Sequence, residues 1–341
     1  MEMTFLLRGH LIRPFSQSAE VMTSGYSKPL QRRLTDFGAD ESFAKVSEKM
    51  REHYGISIPF HSPRTITEKH AKKIHEMECL KDVFPKQGKE YIIAETDGSM
   101  IPIVTIADKT ADEEPSDGRK RRKVGWNEAR LALAHPLGSV TPVFAATMGG
   151  TEEAGDQLLN CAILAGGGEK SKVHCVGDGA PWIAEQVNRV FSDQGTYLID
   201  FMHLCEYLVP ASSSCCPHDS LAWLDQQKQL MKEGNVLAVV QALEPYIEPR
   251  SIPETNAPVR KCHRYITNRL DQFDYKRALE SDLPIGSGEI ESAHRYIIQK
   301  RLKLAGAWWS EINAQDMLAL RTLRANGGWD DYWTQDFKQA A

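Results

Sequence analysis

Apolar positions change their spacing several times along the chain. Within residues 1–85 the period is helical. In DESFAKVSEKMREHYG, Phe43, Val46, Met50 and Tyr54 recur at steps of three and four, and Gly55 stops the run. After ISIPFH, Ser62 and Pro63 are suited to open a second helix through RTITEKHAKKIHEM. Two helices joined by a short turn, the second rich in Arg, Lys, His and Thr, predict a helix-turn-helix over about residues 38–78. An ordinary helical hairpin with solvated charges is the competing reading. From about residue 88 the pattern turns to β runs. EYIIAETDGSMIPIVTI reads as two strands around a turn at Asp97-Gly98, and VTPVFAAT (140–147) as a third. TEEAGDQLLNCAILAG reads as a helix. KVHCVGDGAPW reads as a buried strand ending at Asp178, and TYLIDFMHLCEYL as a strand to Asp200 leading into a helix. Strands mixed with helices over 86–209 predict an α/β sheet domain. Residues 210–282 return to helical spacing, and 283 to about 325 stay helical before GGWDDYW.

Composition narrows the class. The chain has 341 residues, 41% hydrophobic and 26% charged, with net charge −5. That supports a sizeable core and argues against a generic nucleic-acid coat protein, while leaving room for local basic patches. Seven cysteines are scattered without a CxxC pair, which fits a reduced, cytoplasmic protein. Cys215, Cys216 and His218 offer metal donors but lack a second ligand pair. The apolar run before Arg8 is too short for a signal peptide, and no stretch approaches the roughly 20 apolar residues of a membrane span. The segment 108–123 is charged and predicts a mobile hairpin loop. It ends in five consecutive basic residues, Arg119, Lys120, Arg121, Arg122 and Lys123. A solvated loop and a phosphate-backbone contact are both open for these.

Three acids stand where chemistry is built. Asp97 and Asp178 each precede a glycine at the end of an apolar β run, and strand ends of α/β sheets carry sites. Each is also an ordinary turn residue. In LPIGSGEIESAHRYIIQKRLK (283–303), Glu289 and Glu291 lie two positions apart, roughly 200° around a helix. Plotted at about 100° per residue, Ile290, Ala293, Ile297, Ile298, Leu302 and Leu304 form one face. His294 and Arg301 fall inside it, Glu291 lies at its edge, and Glu289 is outside beside Lys300. Glu291 is therefore expected either in a buried salt bridge with Arg301 or Arg295, or facing a site. Three converging carboxylates repel one another unless a divalent cation sits among them. Mg²⁺ prefers oxygen ligands, and two such ions support phosphodiester chemistry. A carboxyl pair for glycosidic cleavage is the rival use. Trp182, Trp308 and Trp309 read as core residues or as stacking platforms for bases.

The order TDGSM, GDGAPWI, IDFMH, then GSGEIES, KRLK and a Trp-Trp pair resembles the ISKra group of bacterial insertion-sequence transposases, DDE enzymes distantly similar to Mutator-like elements. LIRPF, SKPLQRRLTDFGADESF, EHYGISIP and MLALRTLRANGGWDDYW resemble it too, so the likeness covers nearly the whole chain. The resemblance implies a ribonuclease H-like catalytic domain, a mixed sheet with flanking helices. An all-α helix-turn-helix region (1–85) would precede it, a helical insertion (210–282) would interrupt it after 86–209, and a core-completing helix and tail (283–341) would close it. It implies an Asp97–Asp178–Glu291 triad holding Mg²⁺ or Mn²⁺, two ions in all. Asp200 and His203 of IDFMH are supporting groups, Asp200 being the alternative second acid, and His294 joins them as a neighbour. Arg119 to Lys123, Arg295, Lys300, Arg301 and Lys303 are expected on DNA phosphates. The implied partners are double-stranded DNA, as terminal inverted repeats and target, and further copies of the chain. The implied reaction is element-end cleavage and strand transfer by a nucleoid-associated cytoplasmic enzyme. A domesticated DNA-binding regulator without catalysis, or another metal-dependent nuclease of the same fold, are the alternatives.

Overall fold

The computed structural model describes residues 5–7, 10–12, 25–106 and 122–338, with side chains described over 25–106 and 122–334. The chain divides into two compact units that interleave along the sequence. One comprises residues 1–79, 99–129 and 294–341, the other 80–98 and 130–293.

The first unit holds helices α1 (Lys28–Asp40), α2 (Phe43–Tyr54) and α3 (His61–Glu76). The two helices expected from the periodicity are therefore present, and α1 was not anticipated. Gly55 ends α2 at φ +65, a left-handed conformation that glycine adopts without strain. Leu34, Val46, Met50, Ile58 and Ile66 form one apolar cluster. Helices α1 and α3 cross closely at Gly38, where a Cβ would stand 2.1 Å from Thr67 Oγ1. The region is not all helical. Phe5–Leu7 pairs antiparallel with His10–Ile12.

The sheet has five strands: β1 (Tyr91–Ile106), β2 (Arg122–Pro136), β3 (Val143–Thr147), β4 (Lys172–Gly177) and β5 (Gly195–Ile199). Their spatial order is β3-β2-β1-β4-β5. β2 and β3 pair antiparallel, whereas β1, β4 and β5 run parallel, giving a mixed α/β sheet. Two expectations are corrected here. Asp97-Gly98 is not a hairpin turn, because β1 runs through it for 16 residues. The second strand is instead RKVGWNEARLALAHP, whose Ala and Leu positions favour helix in isolation.

Strand alternation sends side chains to two layers. Ile92 and Ala94 of β1 and Val173 and Cys175 of β4 pack on α4 (Thr151–Leu164) and α5 (Pro181–Phe191). Ile93, with Leu198 and Ile199 of β5, packs on α6 (Phe201–Cys215). That second cluster continues through α7 (Ser220–Lys232), α8 (Val236–Leu243), α9 (Pro258–Thr267) and α10 (Tyr275–Glu280), by way of Leu224, Val239, Cys262 and Tyr275. Residues 210–282 thus share the core of α6 and the sheet. Cys215 lies in this apolar layer with its thiol pushed up to about 11 by burial, far from a thiolate ligand at neutral pH.

Helix α11 (Gly288–Ala293) is followed by a π-helical segment (His294–Gln299) and a last turn, α12 (Lys300–Leu302). The first unit is completed by α13 (Glu311–Ala325) and α14 (Trp329–Lys338). Among the described residues no helix is long and apolar enough to cross a membrane.

Candidate active site

The sheet itself brings the two aspartates together. β1 and β4 pair with Glu95 opposite Val176. That is the last pair of the two strands, so Asp97 and Asp178 each lie two residues beyond it. β4 and β5 pair with Gly177 opposite Ile199, and Asp200 N donates to Gly177 O at 2.7 Å. Asp97 lies in the continuing β1 strand just past its parallel pairing with β4, while Asp178 and Asp200 directly follow the last β4–β5 pair, at the C-terminal ends of those strands, where α/β sheets place their ligands.

Their hydrogen bonds separate their roles. Asp97 Oδ1 accepts from Gly98 N at 2.7 Å, and Asp178 Oδ1 from Ala180 N at 2.7 Å. Both residues remain partly exposed. Asp200 is 2% exposed, and both of its oxygens are used inside the protein. Oδ1 accepts from Met202 N and His203 N, capping α6. Oδ2 accepts from Ser287 N at 2.5 Å and from Ser287 Oγ at 2.6 Å. Asp200 thus joins the end of β5 to the glycine loop that opens α11. His203 supplies its backbone N–H to this cap, and its ring Nδ1 lies 3.4 Å from Glu206.

A carboxyl overlooked in the sequence completes the anchor. Glu95, 2% exposed, accepts from Ile290 N at 2.8 Å. It shares a strand face with Ile93 and Asp97, and that i, i+2 pair of acids in an apolar run was the available signal. Burial pushes its carboxyl up to about 8, against the pull of the Ile290 N–H. Glu289, Asp200 and Glu291 add to the rise, so all three acids are close to it. Helix α11 therefore begins at the carboxylate edge, held by Asp200 at Ser287 and by Glu95 at Ile290.

The two glutamates of α11 separate as their spacing requires, but not as the helical plot placed them. Glu289 does not pair with Lys300. It meets His135 Nε2 at 3.0 Å, and His135 Nδ1 donates to Pro136 O. Glu291 is exposed, and among the described residues no hydrogen bond or ion pair of its carboxylate is seen. The apolar face itself is as expected: Ile290, Ala293, His294, Ile297, Ile298, Arg301 and Leu302 are buried. Glu291 falls just outside its rim, and the π-helical turns from His294 onward displace the uniform 100° plot. Among the described residues no three His, Cys, Asp or Glu side chains gather as they would around a metal ion.

The loop carrying Asp178 is braced from α9 and the turn after it. Tyr265 Oη donates to Asp178 O at 2.9 Å, and Arg269 Nε donates to Gly179 O at 2.9 Å. Gly179 N donates to Tyr197 Oη at 2.9 Å. Gly179 has φ +87, and a Cβ there would lie 2.5 Å from Tyr265 Oη. No local pattern marks Tyr265 or Arg269, which lie 87 and 90 residues from the groups they hold.

The expected DNA-contacting residues divide. Arg119, Lys120 and Arg121 lie outside the described residues. Arg122, Lys123, Arg295 and Lys303 are exposed, and Lys300 is exposed with Asp40 3.8 Å away. Arg301 is a correction. It is 2% exposed, donates from Nε to Gly38 O, and lies between the rings of Phe43 and Trp309 at 4.6 and 4.7 Å. Its stem sits on the buried face of the helix, and its guanidinium is enclosed in the first unit rather than presented on the outer surface. His294 is likewise buried. Trp309 is core and Trp308 is 46% exposed.

No family model matches the chain. It is similar to a UPF0236 protein of Caldanaerobacter subterraneus subsp. tengcongensis, 21% identical over 305 residues, which is 88% of this chain and 59% of that protein. A second UPF0236 protein of the same organism is 22% identical over 157 residues, 46% of this chain and 30% of its own length. The chain thus spans less than two thirds of these relatives. Among solved structures it is similar to a Drosophila P element transposase strand transfer complex, at 9% identity and TM-score 0.30 over 95% of this chain and 85% of that one, a likeness too low to bear on fold or function.

Proposed function

We propose that the protein is a DDE transposase of the ISKra type, with a ribonuclease H-like core and Asp97, Asp178 and Glu291 as its acids. The observation that supports this reading is that Asp97 and Asp178 each lie two residues beyond the last β1–β4 pair, and that the start of α11, with Glu291, is anchored by Asp200 and Glu95. The acids come in the order and on the elements that the sequence resemblance implies: the first strand of the sheet, the end of the fourth, and a late helix.

The donor chemistry fits a hard divalent cation, since every candidate ligand is a carboxylate oxygen. Asp97 and Asp178 are held by short local hydrogen bonds, and the exposed Glu291 would supply the third carboxylate. Asp200 is left out of the ligand set because its lone pairs already serve four donors. A bound Mg²⁺ pair would activate the attacking oxygen and stabilise the leaving one. The chain's own part is to fix the carboxylates and hold the DNA. Exposed Arg122, Lys123, Arg295, Lys300 and Lys303 would take phosphates, which sets register without reading sequence. Helices α2 and α3, as a helix-turn-helix, would read the element ends. Joining two ends calls for more than one copy of the chain.

The test is metal dependence. Purified protein should nick double-stranded DNA carrying the element ends in Mg²⁺ or Mn²⁺, and not in EDTA. Equal nicking in EDTA would overturn the proposal. Tyr265→Phe should raise the Mg²⁺ concentration at half-maximal nicking about tenfold, the scale seen when a group supporting a ligand is removed, with folding little changed. An unaltered metal titration would remove Tyr265 from any positioning role.

A further inference from the structure

The first unit contains a cavity of about 290 Å³ whose walls include Phe43, Arg64, Arg301, Trp308, Trp309 and Asn313. Its size is at the lower end of small-ligand pockets. It has room for one small molecule or one nucleotide, whereas a double helix receives protein into its grooves and does not enter a pocket.

Its chemistry is cationic and aromatic. Glu68 also lines the cavity, and its Oε1 accepts from both Arg64 Nε and Asn313 Nδ2, at 2.9 and 2.8 Å. Arg301 remains. Its Nε is used by Gly38 O, but its Nη2 is buried with no hydrogen-bond partner among the described residues. Burial lowers its pKa to about 10, so the group is still charged at neutral pH. A buried guanidinium nitrogen without an acceptor is costly, and a phosphate oxygen is the acceptor it fits best. Above it, the Trp308 indole is half exposed at the mouth, whereas Trp309 is fixed by donating from Nε1 to Leu302 O. An indole at the rim of a phosphate-binding cavity offers a face on which a base can stack.

We infer that this cavity takes a single unpaired nucleotide of a DNA strand, with its phosphate toward Arg301 and its base on Trp308. The inference deepens the transposase reading, since an enzyme that opens DNA ends exposes such nucleotides, but it concerns binding alone.

The test is binding without divalent metal, so that no cleavage contributes. A short duplex with a one-nucleotide overhang is compared with the same duplex blunt-ended, by fluorescence anisotropy, at one fixed salt concentration. The wild type should prefer the overhang by about tenfold, the scale of one stacked base. Trp308→Ala should bind both duplexes alike, and Trp308→Phe should restore the preference. Trp308 is on the surface, so these variants fold where a change at Arg301 endangers the core. No overhang preference in the wild type, or a preference kept in Trp308→Ala, would overturn the inference. So would free dAMP binding as tightly as the overhang, since the occupant would then be a free nucleotide. Metal-dependent nicking is a separate measurement: its absence with the overhang preference intact would sink the catalytic reading and leave this one standing.

Discussion

Glu291→Gln should lower Mg²⁺-dependent DNA nicking by about a hundredfold or more, while Glu289→Gln stays near the wild-type rate. A metal-ion contribution of several kcal/mol to the transition state corresponds to at least that factor, and glutamine keeps the shape but not the charge. The two residues are distinguished by what holds them. Glu289 is committed to His135, whereas the Glu291 carboxylate is exposed at the start of a helix anchored to the aspartate edge. The reverse outcome, an inactive Glu289→Gln with an active Glu291→Gln, would move the third acid to Glu289. That residue also lies close enough to Glu95 to raise its pKa. Quantifying DNA binding alongside separates loss of chemistry from loss of substrate.

Arg321→Leu should destabilise the protein by about 1–3 kcal/mol, the scale of removing a buried hydrogen-bonding partner. Arg321 is 7% exposed, donates to the backbone carbonyls of Ala39, Tyr296 and Ile297, and pairs with Asp40 at 2.8 Å. Its loss removes the side-chain donor to three carbonyls and leaves Asp40 with Arg324 at 3.0 Å and Lys300 at 3.8 Å. A lower urea midpoint is the readout, and an unchanged one would contradict this account. The acid limb of the stability curve should change as well. Burial raises the Asp40 pKa, but the Arg321 hydrogen bond and the charges of Arg324 and Arg321 outweigh it, leaving the carboxyl below its ordinary 3.8. That contribution is present above pH 3.8 and is lost as pH falls toward the folded value. In Arg321→Leu the loss should be smaller.

The sequence carried the parts of this picture that depend on local pattern. Buried runs ending at Asp178 and Asp200 announced β4 and β5, because parallel strands covered on both faces read as continuous apolar segments. The buried face of the helix from Ile290 to Leu302 followed from its three- and four-residue spacing. What failed depended on long-range pairing. ARLALAH became a strand because β2 has β1 and β3 as neighbours, and tertiary pairing overrides a helical preference. Asp97-Gly98, a turn signal in isolation, lies in a continuous strand for the same reason. At the site, Asp97 and Asp178 were visible as acids following apolar β runs, although only Asp178 ends its strand. Tyr265 and Arg269 on Asp178 and Gly179, and Asp200 on Ser287, were not, since each acts across some 87 to 90 residues of chain. The burial of Arg301 was legible from its place on the apolar face, but its enclosure by Phe43 and Trp309 was not, since those rings are distant from or beyond its helix.

The most direct test of the central claim is Asp97→Asn, assayed for nicking and for binding on the same end-bearing DNA. The account predicts that nicking falls below detection in Mg²⁺ while DNA affinity is kept, because Asp97 serves the chemistry and the exposed basic residues serve the binding. Cleavage by Asp97→Asn at the wild-type rate would contradict it.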